Sequence, residues 1–176
     1  KDDVLNELPE KTEITLRVEL SAEEQALYDN LRQQAIANLE ESSKSTLQTL
    51  AEITRLRQAA CHPRLVNDKL QIPSSKTAAF LHLVEELRQS GHRALVFSQF
   101  TSHLALIRVA LDSQAIPYLY LDGSTTPAER SRLVRQFFEI PVWRNQFSVL
   151  FLGRRILRPF MDAEHQTFPH DPLQTL

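Results

Sequence analysis

The sequence predicts an α/β fold in which a parallel sheet is flanked by helices and preceded by an alternating strand and a helical segment. Two apolar runs, Ala94–Phe97 and Tyr118–Leu121, each stop abruptly in small polar residues, and an amphipathic helix follows each of them. Strands and helices that alternate in this way form parallel sheets with right-handed crossovers. Hydrophobic residues make up 42% of the 176-residue chain, so we expect a folded core.

The N-terminal third contains one predicted strand and two predicted helices. The segment Glu13–Leu20 alternates apolar and polar residues, which is typical of a half-buried strand. Ser21 and Glu24 have the spacing of a capping box, which predicts that a helix begins there. A second helix is expected from Leu47 to Ala60, and we expect Pro63 to end it.

The α/β part contains three further predicted helices and one further strand. The helices are expected at Lys76–Gln89, Ser102–Ser113 and Pro127–Phe138. Thr126 and Glu129 have capping-box spacing at the start of the last helix. Val149–Leu152 is expected to add a strand, and the residues after it show no helical or strand period.

Composition bounds the class of protein. The formal net charge is −2, so no strong global field attracts nucleic acid, and any contact with DNA or RNA must be local. The single cysteine, Cys61, cannot form a disulfide within the chain, which fits a reducing compartment. No apolar run of about 18 residues exists, so we expect no membrane span and a cytoplasmic location. The chain starts without an initiator Met, and we expect it to be a fragment.

The two loops that follow the apolar runs are the candidate functional site. Ser98 and Gln99 follow the first run, and Gly123, Ser124 and Thr125 follow the second. We expect the two strands to be neighbours, so that backbone N–H groups and helix N-termini meet at one edge of the sheet and can hold phosphate. Gly123 allows either a close backbone approach or a positive φ. The alternative, ordinary turns in which these residues only satisfy the backbone, remains open for both loops.

Two basic side chains are candidates for the same surface. Lys76 stands at a predicted helix start, where a cation interacts unfavourably with the helix dipole, so it is a candidate for binding an external anion. Arg130 lies one turn into the last predicted helix. A solvent-exposed charge is the alternative for both. Cys61 and His62 do not indicate a metal site, because the chain has no second cysteine.

Five ordered segments resemble the Swi/Snf-type ATPases, which are helicase-like translocases of superfamily two that act on double-stranded DNA. The segments are Leu8-Pro-Glu-Lys11, Arg57-Gln-Ala-Ala-Cys-His-Pro63, Ser75-Lys76, Leu95-Val-Phe-Ser-Gln-Phe100 and Leu121-Asp-Gly-Ser-Thr125. The resemblance covers about residues 4–138. The chain is similar to the second RecA-like lobe of these proteins with the linker and helical segment before it, and it has a bacterial character.

The resemblance implies a division of labour between two lobes. In this family the first lobe holds the Walker motifs for ATP and Mg²⁺, and the second supplies arginine fingers and holds one DNA strand by its phosphates. The implied backbone-contacting residues are Lys76, Ser98, Gln99, Gly123, Ser124 and Thr125. The implied partners are double-stranded DNA and the first lobe of the parent protein. ATP and Mg²⁺ belong to that intact parent, and no cofactor or catalytic residue is expected in this chain.

The family pattern breaks after Phe138. The family continues with a strand, a Gly-Gly-Thr-Gly-Leu-Asn segment and a Gln-x-x-x-Arg-x-x-Arg segment. This chain lacks both of these motif segments. Arg154 and Arg155 are therefore not assigned as arginine fingers. One hypothesis is a reading-frame slip near Glu139, which the coding DNA would test. We divide the chain into a linker strand and helical segment (1–75), a partial RecA-like helicase C-terminal lobe (76–152) and an irregular tail (153–176) that the slip would place out of frame.

We therefore expect a fragment of an ATP-dependent double-stranded-DNA translocase that contributes phosphate contacts and is not catalytically competent alone. If the family assignment holds, it is associated with the bacterial nucleoid. The alternative is a helical protein-interaction module in which residues 21–60 form the working surface and the α/β part is scaffold. A stand-alone hydrolase is disfavoured, because the sequence shows neither a nucleophile-base constellation nor a metal site.

Overall fold

The computed structural model describes residues 12–40, 46–139 and 149–153. The elements in chain order are α1 (Ala22–Glu40), α2 (Thr46–Ala59), α3 (Ser75–Gln89), β1 (Ala94–Ser98), α4 (Thr101–Ser113), β2 (Leu119–Leu121), α5 (Pro127–Glu139) and β3 (Val149–Gly153). A short 3₁₀ helix covers Pro63–Leu65. The predicted α/β class is confirmed, and the predicted helices form close to their expected limits.

The three strands form one parallel sheet in the order β1-β3-β2. β3 pairs with both other strands, and the register aligns Val96 of β1 and Tyr120 of β2 with Phe151 of β3. The parallel arrangement and the strand at Val149 are therefore confirmed. The expectation that the two polar loops end neighbouring strands is wrong, because β3 lies between β1 and β2. Chain order does not fix spatial order, and here the crossover through α4 passes over one strand position.

Helices pack on both faces of this sheet. α3 and α4 cover one face around Val84 and Leu104, which are 1% and 0% exposed. α5 covers the other face, where Leu133 and Phe137 cluster with Leu121 of β2. The crossover through α4 runs from β1 towards the β2 edge, and the crossover through α5 runs back. Right-handed connections of opposite direction place their helices on opposite faces.

Among the described residues, the α5 face of the sheet is covered only on its β2 side. Leu119 and Leu121 of β2 pack against α5. Leu95 and Phe97 of β1, aligned with them across β3, are 44% and 50% exposed. Apolar side chains on a sheet face are normally covered by another element. Within the described residues, the β1 side of this face is therefore an open apolar surface.

The strand predicted at Glu13–Leu20 does not form. Residues 12–20 have no regular secondary structure, and Ile14 and Leu16 are 80% and 65% exposed. A strand needs a partner for its backbone N–H and C=O groups. The described strand pairings join β1 to β3 and β3 to β2, and they do not include this segment. Alternation of apolar residues is a local signal and does not supply that partner.

Of the two predicted capping boxes, one forms completely. At the start of α1, the Glu24 N–H donates to Ser21 Oγ at 3.2 Å and the Ser21 N–H donates to Glu24 Oε2 at 2.9 Å. At the start of α5, the Glu129 N–H donates to Thr126 Oγ1 at 3.3 Å. The Glu129 carboxylate, however, pairs with Arg132 at 2.6 Å. The second box is therefore only half formed.

α2 stops at Ala59, one residue short of its expected end, and Pro63 has no N–H with which to continue the helix. Pro63 also opens the 3₁₀ helix, a position at which the missing proline N–H costs no hydrogen bond. Among the described residues, no helix combines the length and the apolar character needed to cross a membrane.

Candidate nucleic-acid interface

The two polar loops lie at the same edge of the sheet, the carboxyl edge of all three parallel strands. Ser98 ends β1 in register with Gly153, which ends β3, and Gly123 lies two residues after β2. Because β3 separates them, the loops after β1 and β2 stand two strand spacings apart, about 10 Å. The fold therefore brings the predicted site residues to one rim of the sheet, in two separate groups.

In the loop after β1, the Ser98 side chain bonds within the loop, whereas the Gln99 side chain bonds outside it. The Ser98 hydroxyl donates to the Phe100 carbonyl at 3.1 Å and accepts from the Phe100 N–H at 3.2 Å. Gln99 is exposed, and its Oε1 accepts a hydrogen bond from Nη2 of Arg57 on α2. The Gln99 amide nitrogen has no protein partner among the described residues. Ser98 thus shapes the loop, whereas Gln99 is available to a ligand.

α4 begins directly after this loop without a capping side chain. Phe100 is its N-cap residue and makes no side-chain hydrogen bond to the first turn. Thr101 and Ser102, the first two residues of the helix, are exposed. The first N–H groups of a helix lack intrahelical acceptors, and the helix dipole favours an anion beside them. We call Gln99 and this open start of α4 the β1 corner.

In the loop after β2, the Asp122 carboxylate takes up both donors of Ser124. Asp122 Oδ1 accepts from the Ser124 N–H at 2.8 Å and from the Ser124 hydroxyl at 2.5 Å, and Oδ2 accepts from the Tyr120 hydroxyl at 3.0 Å. Hydrogen bonds from Ser124 are the main cause that lowers the pKa of Asp122, so its carboxylate is charged at neutral pH. The closed turn and its negative charge favour the ordinary-turn interpretation for Ser124.

Gly123 and Thr125 keep groups that an external chain can reach. Gly123 is exposed, and a Cβ placed on it would meet no atom within 4 Å. Its backbone does not have the positive φ allowed for in the sequence prediction; Gly91 is the described glycine that has one, at 68°. Thr125 Oγ1 accepts from the Asp122 N–H at 3.0 Å, which leaves its hydroxyl hydrogen as a donor. We call residues 122–125 the β2 corner.

The anion expected at the start of α3, beside Lys76, is supplied by the chain itself. Ser74 caps α3 by accepting from the Thr77 N–H at 3.2 Å. The Glu24 carboxylate accepts from the Ser75 N–H at 3.0 Å and also from the Ser75 hydroxyl. Glu24 therefore offsets the unfavourable interaction of Lys76 with the helix dipole. Lys76 remains exposed, but the helix start next to it is already occupied.

His103 and His62 lie near Lys76 and add little positive charge at neutral pH. Burial lowers the pKa of His103 to about 4, with smaller effects of His62 and Lys76. Burial and the nearby Arg64 charge lower the pKa of His62 as well. His103 is 8% exposed, and its Nε2 has no hydrogen-bond partner among the described residues. The positive charge near the β1 corner is therefore carried by Lys76 and Arg57.

Arg130 is half-buried in α5 and not the freely solvated charge that was its alternative interpretation. Its Nε is buried without a hydrogen-bond partner in the part of the chain that the structure describes. In the same ranges, no group of three or more His, Cys, Asp or Glu side chains could hold a metal ion, and Cys61 is a free, half-buried thiol.

Sequence reasoning misses two residues of this region, Arg57 and Glu24. Arg57 opens the segment Arg57–Pro63 that carries the family resemblance, and this position was a signal that could have singled it out. Glu24 is predicted correctly as half of a capping box. Its contact with Ser75, 51 residues away, has no signature in a single sequence.

Two family models match the chain in succession. Residues 1–65 match the SNF2-related domain, and residues 75–151 match the helicase conserved C-terminal domain. An uncharacterized ATP-dependent helicase of Mycoplasma genitalium is 32% identical over 139 residues, and the probable ATP-dependent DNA helicase CHR12 of Arabidopsis thaliana is 30% identical over 149 residues. These matches cover 78% and 79% of this chain and 13% of each relative, so the chain spans only a small part of their length.

A solved structure supports the same comparison at the level of the fold. The Sulfolobus solfataricus SWI2/SNF2 ATPase core in complex with dsDNA is similar to this chain with a TM-score of 0.71 and 24% identity. The similarity covers 84% of this chain and 32% of that one. At this identity the likeness concerns the fold alone, and it confirms the predicted RecA-like α/β architecture.

Proposed function

We propose that this chain binds the DNA backbone. The chain is of the Swi/Snf type of superfamily-two helicases, as its matches to the SNF2-related domain and the helicase C-terminal domain show. The resemblance predicted from its motifs is thereby confirmed. In this proposal residues 76–139 and 149–153 belong to the second RecA-like lobe of a translocase, and the described residues before them belong to the linker and helical segment. The carboxyl edge of the sheet holds phosphates of a DNA duplex, which fixes the position of the duplex without reading its bases.

The observation that carries the proposal is the group of free donors at the β1 corner. The Gln99 amide nitrogen has no described protein partner, and α4 starts without a capping side chain at two exposed residues, Thr101 and Ser102. Lys76 adds positive charge close to the first turn of α4, since it acts on the pKa of His103 there. A helix start with cationic and amide donors binds phosphate. The solved SWI2/SNF2 core in complex with dsDNA supports duplex DNA as the source of that phosphate.

The residues proposed at the two corners have unequal roles. Gln99, Gly123 and Thr125 are proposed as direct donors, because each keeps a reachable N–H or O–H group. Ser98 and Ser124 are proposed to shape their loops, because their hydroxyls are already used within them. A direct contact from Ser124 to phosphate would require its release from Asp122.

Nucleotide hydrolysis is assigned in this proposal to the intact parent protein. The sequence holds three glycines, Gly91, Gly123 and Gly153, and none belongs to a glycine-lysine loop. We propose that ATP and Mg²⁺ bind the first lobe, that this chain does not hydrolyse ATP alone, and that closure of the lobes moves the DNA.

Three further expectations from the sequence remain proposals. They are the division at residues 75 and 152, the bacterial source with its nucleoid location, and the reading-frame slip. One of the relatives reported above is bacterial and the other is from a plant, so they do not favour a bacterial source. Arg154, Arg155 and the tail lie outside the described residues.

Duplex binding by the full 176-residue chain tests the proposal. Fluorescence anisotropy with a labelled duplex should show that the logarithm of the association constant falls linearly with the logarithm of salt concentration. Lys76→Ala should weaken binding and reduce the slope by roughly 1. Lys69→Ala removes the same charge from an exposed loop position and is the matched control. A chain that does not bind the duplex, or equal effects of the two variants, overturns the proposal.

A second candidate function, a protein-interaction module, is favoured by the exposed apolar side of α2. Leu47, Leu50 and Ile53 are 76%, 54% and 47% exposed. Three apolar side chains at this spacing lie on one side of a helix, and such patches mark interaction surfaces. Deletion of residues 76–176 separates the candidates. An interaction module keeps its partner after this deletion, whereas a DNA-binding lobe loses the duplex.

A further inference from the structure

The helical segment reaches the β1 corner through the side chain of Arg57. Arg57 lies in the last turn of α2, and its Nη2 donates to Oε1 of Gln99, 42 residues further along the chain. This contact places a guanidinium group beside the loop to which the proposed function assigns DNA binding. It joins the helical segment to the carboxyl edge of the sheet.

Arg57 has no carboxylate partner in the described ranges. Two other helical arginines are neutralised by neighbours on their own helices. Arg88 pairs with Glu85 at 2.8 Å, and Arg132 pairs with Glu129 at 2.6 Å. Arg57 is exposed, and Gln99 is a neutral partner that leaves its charge uncompensated. A guanidinium carries five N–H donors, so most of them remain for another acceptor.

The contact between Arg57 and Gln99 leaves only hydrogen-bond donors of the two side chains available to a ligand. Arginine has no acceptor atom, so it fixes Oε1 of Gln99 as the bonded atom and leaves the Gln99 amide nitrogen as the free end. The pair then presents N–H groups and one positive charge. An acceptor-only, negatively charged ligand matches this arrangement, and a phosphodiester has both properties.

The charge balance of the corner makes Arg57 important. His103 and His62 contribute little charge at neutral pH, because burial lowers the pKa of each. The Glu24 carboxylate next to Lys76 is engaged by Ser75 and compensates part of the Lys76 charge. Arg57 is therefore the better placed cation for a phosphate beside Gln99. A purely structural role, in which Arg57 interacts with the C-terminal end of the α2 dipole, is the alternative.

We infer that Arg57 is a DNA-phosphate ligand that the helical segment contributes to the β1 corner, where it shares one phosphodiester with Gln99. This inference rests on the proposed function and extends it. The helical segment then takes part in holding the duplex and does not serve only as a linker to the lobe.

A matched pair of variants of the full chain tests this inference. Arg57→Ala and Arg55→Ala each remove one arginine from the same helix, and both side chains are exposed. Arg55 lines a groove with Leu47, Leu50 and Val66, not the β1 corner. Arg57→Ala should weaken duplex binding roughly tenfold, as expected for one charge-assisted hydrogen bond, and reduce the salt slope by about 1. Arg55→Ala should change the affinity less than twofold.

Two further variants separate a phosphate ligand from a residue that only positions Gln99. Arg57→Lys keeps the charge and should lose part of the affinity while keeping the salt slope, because the ammonium lacks the planar fork. In a Gln99→Ala background, Arg57→Ala should still weaken binding and reduce the slope. If that second effect disappears, Arg57 acts only through Gln99 and the inference is wrong.

The remaining outcomes distinguish this inference from the proposed function. Equal effects of Arg57→Ala and Arg55→Ala, with Gln99→Ala and Lys76→Ala still weakening binding, overturn the inference and leave the proposed function standing. Absence of duplex binding by the unmodified chain overturns both. Circular dichroism of Arg57→Ala and Arg57→Lys should match the parent chain, and Arg57→Lys provides the salt-slope readout if the alanine variant does not fold.

Discussion

Glu24 and Ser75 join the start of α1 to the start of α3. Glu24 Oε1 accepts from the Ser75 N–H at 3.0 Å, while Oε2 accepts from the Ser21 N–H at 2.9 Å. Glu24 is 5% exposed, and its carboxylate lies at two helix N-termini, each of which favours a negative charge. The position of Lys76, the next residue of α3, therefore depends on a residue of the helical segment.

Replacing Glu24 by alanine should lower the free energy of unfolding by about 2 kcal/mol, because the donors at two helix starts lose a charged acceptor. Glu23→Ala removes the same charge from an exposed position in the same turn and should change it by less than about 0.5 kcal/mol. Urea denaturation of the full chain at pH 7 measures both values. Similar losses for the two variants would show that the contact with Ser75 contributes nothing specific.

The chain should become less stable as the pH is lowered, partly because of His103. Burial holds the folded-state pKa at about 4, below the ordinary 6.5, so the unfolded chain takes up this proton first. The contribution of His103 to the free energy of unfolding is complete above pH 6.5 and is lost as the pH falls through about 4. The change amounts to at most about 3 kcal/mol.

Urea midpoints at pH 7 and pH 4.5 check this pH dependence. His103→Leu should show a smaller drop between the two values than the unmodified chain. His82→Asn changes a histidine that is 78% exposed and should keep the full drop. The same drop in urea midpoint for all three chains would rule out His103 as the source of the pH dependence.

Asp122→Asn should strengthen duplex binding about two- to fivefold at low salt, because it removes a negative charge from the carboxyl edge. The asparagine oxygen can still accept from Ser124, so the turn should keep its shape. Asp112→Asn makes the same charge change at an exposed position in the last turn of α4 and should have little effect. The gain should shrink as salt is added. Unchanged binding by Asp122→Asn would place the phosphate away from the β2 corner.

Phe97→Ser should change the free energy of unfolding by less than about 1 kcal/mol and reduce self-association, because Phe97 is 50% exposed on an apolar surface. Leu121→Ala on the same face should cost about 2–5 kcal/mol, since Leu121 is 0% exposed and packs against Leu133 and Phe137. Urea denaturation and light scattering measure the two effects. A large loss of stability in Phe97→Ser would mean that this face is covered in solution.

The helices were predictable because their signals are local. Ser21 and Glu24 mark the start of α1 within one turn, and both hydrogen bonds of that box form. Gly91, with a φ of 68°, stands where a glycine commonly ends a helix such as α3. Pairing between distant segments decides whether Glu13–Leu20 forms a strand, and it also decides the order β1-β3-β2. The alternation of apolar residues does not encode such pairing.

The candidate site was predictable in position and only partly in chemistry. The carboxyl edge follows from the parallel order of strands and helices. The roles of Ser98 and Ser124 did not follow, because a hydroxyl that can bind phosphate can equally bind its own loop, as both do here. The Arg57–Gln99 contact joins side chains 42 residues apart, and a single sequence carries no signal for it.

Amide chemical shifts of the full chain, titrated with a DNA duplex at low salt, show which residues contact the phosphates. We expect the largest changes at Gln99, Thr101, Ser102, Gly123 and Thr125, and we expect added salt to reverse them. Changes confined to Leu47–Ile53 on α2, or no change at the carboxyl edge, would contradict the proposed binding of the DNA backbone.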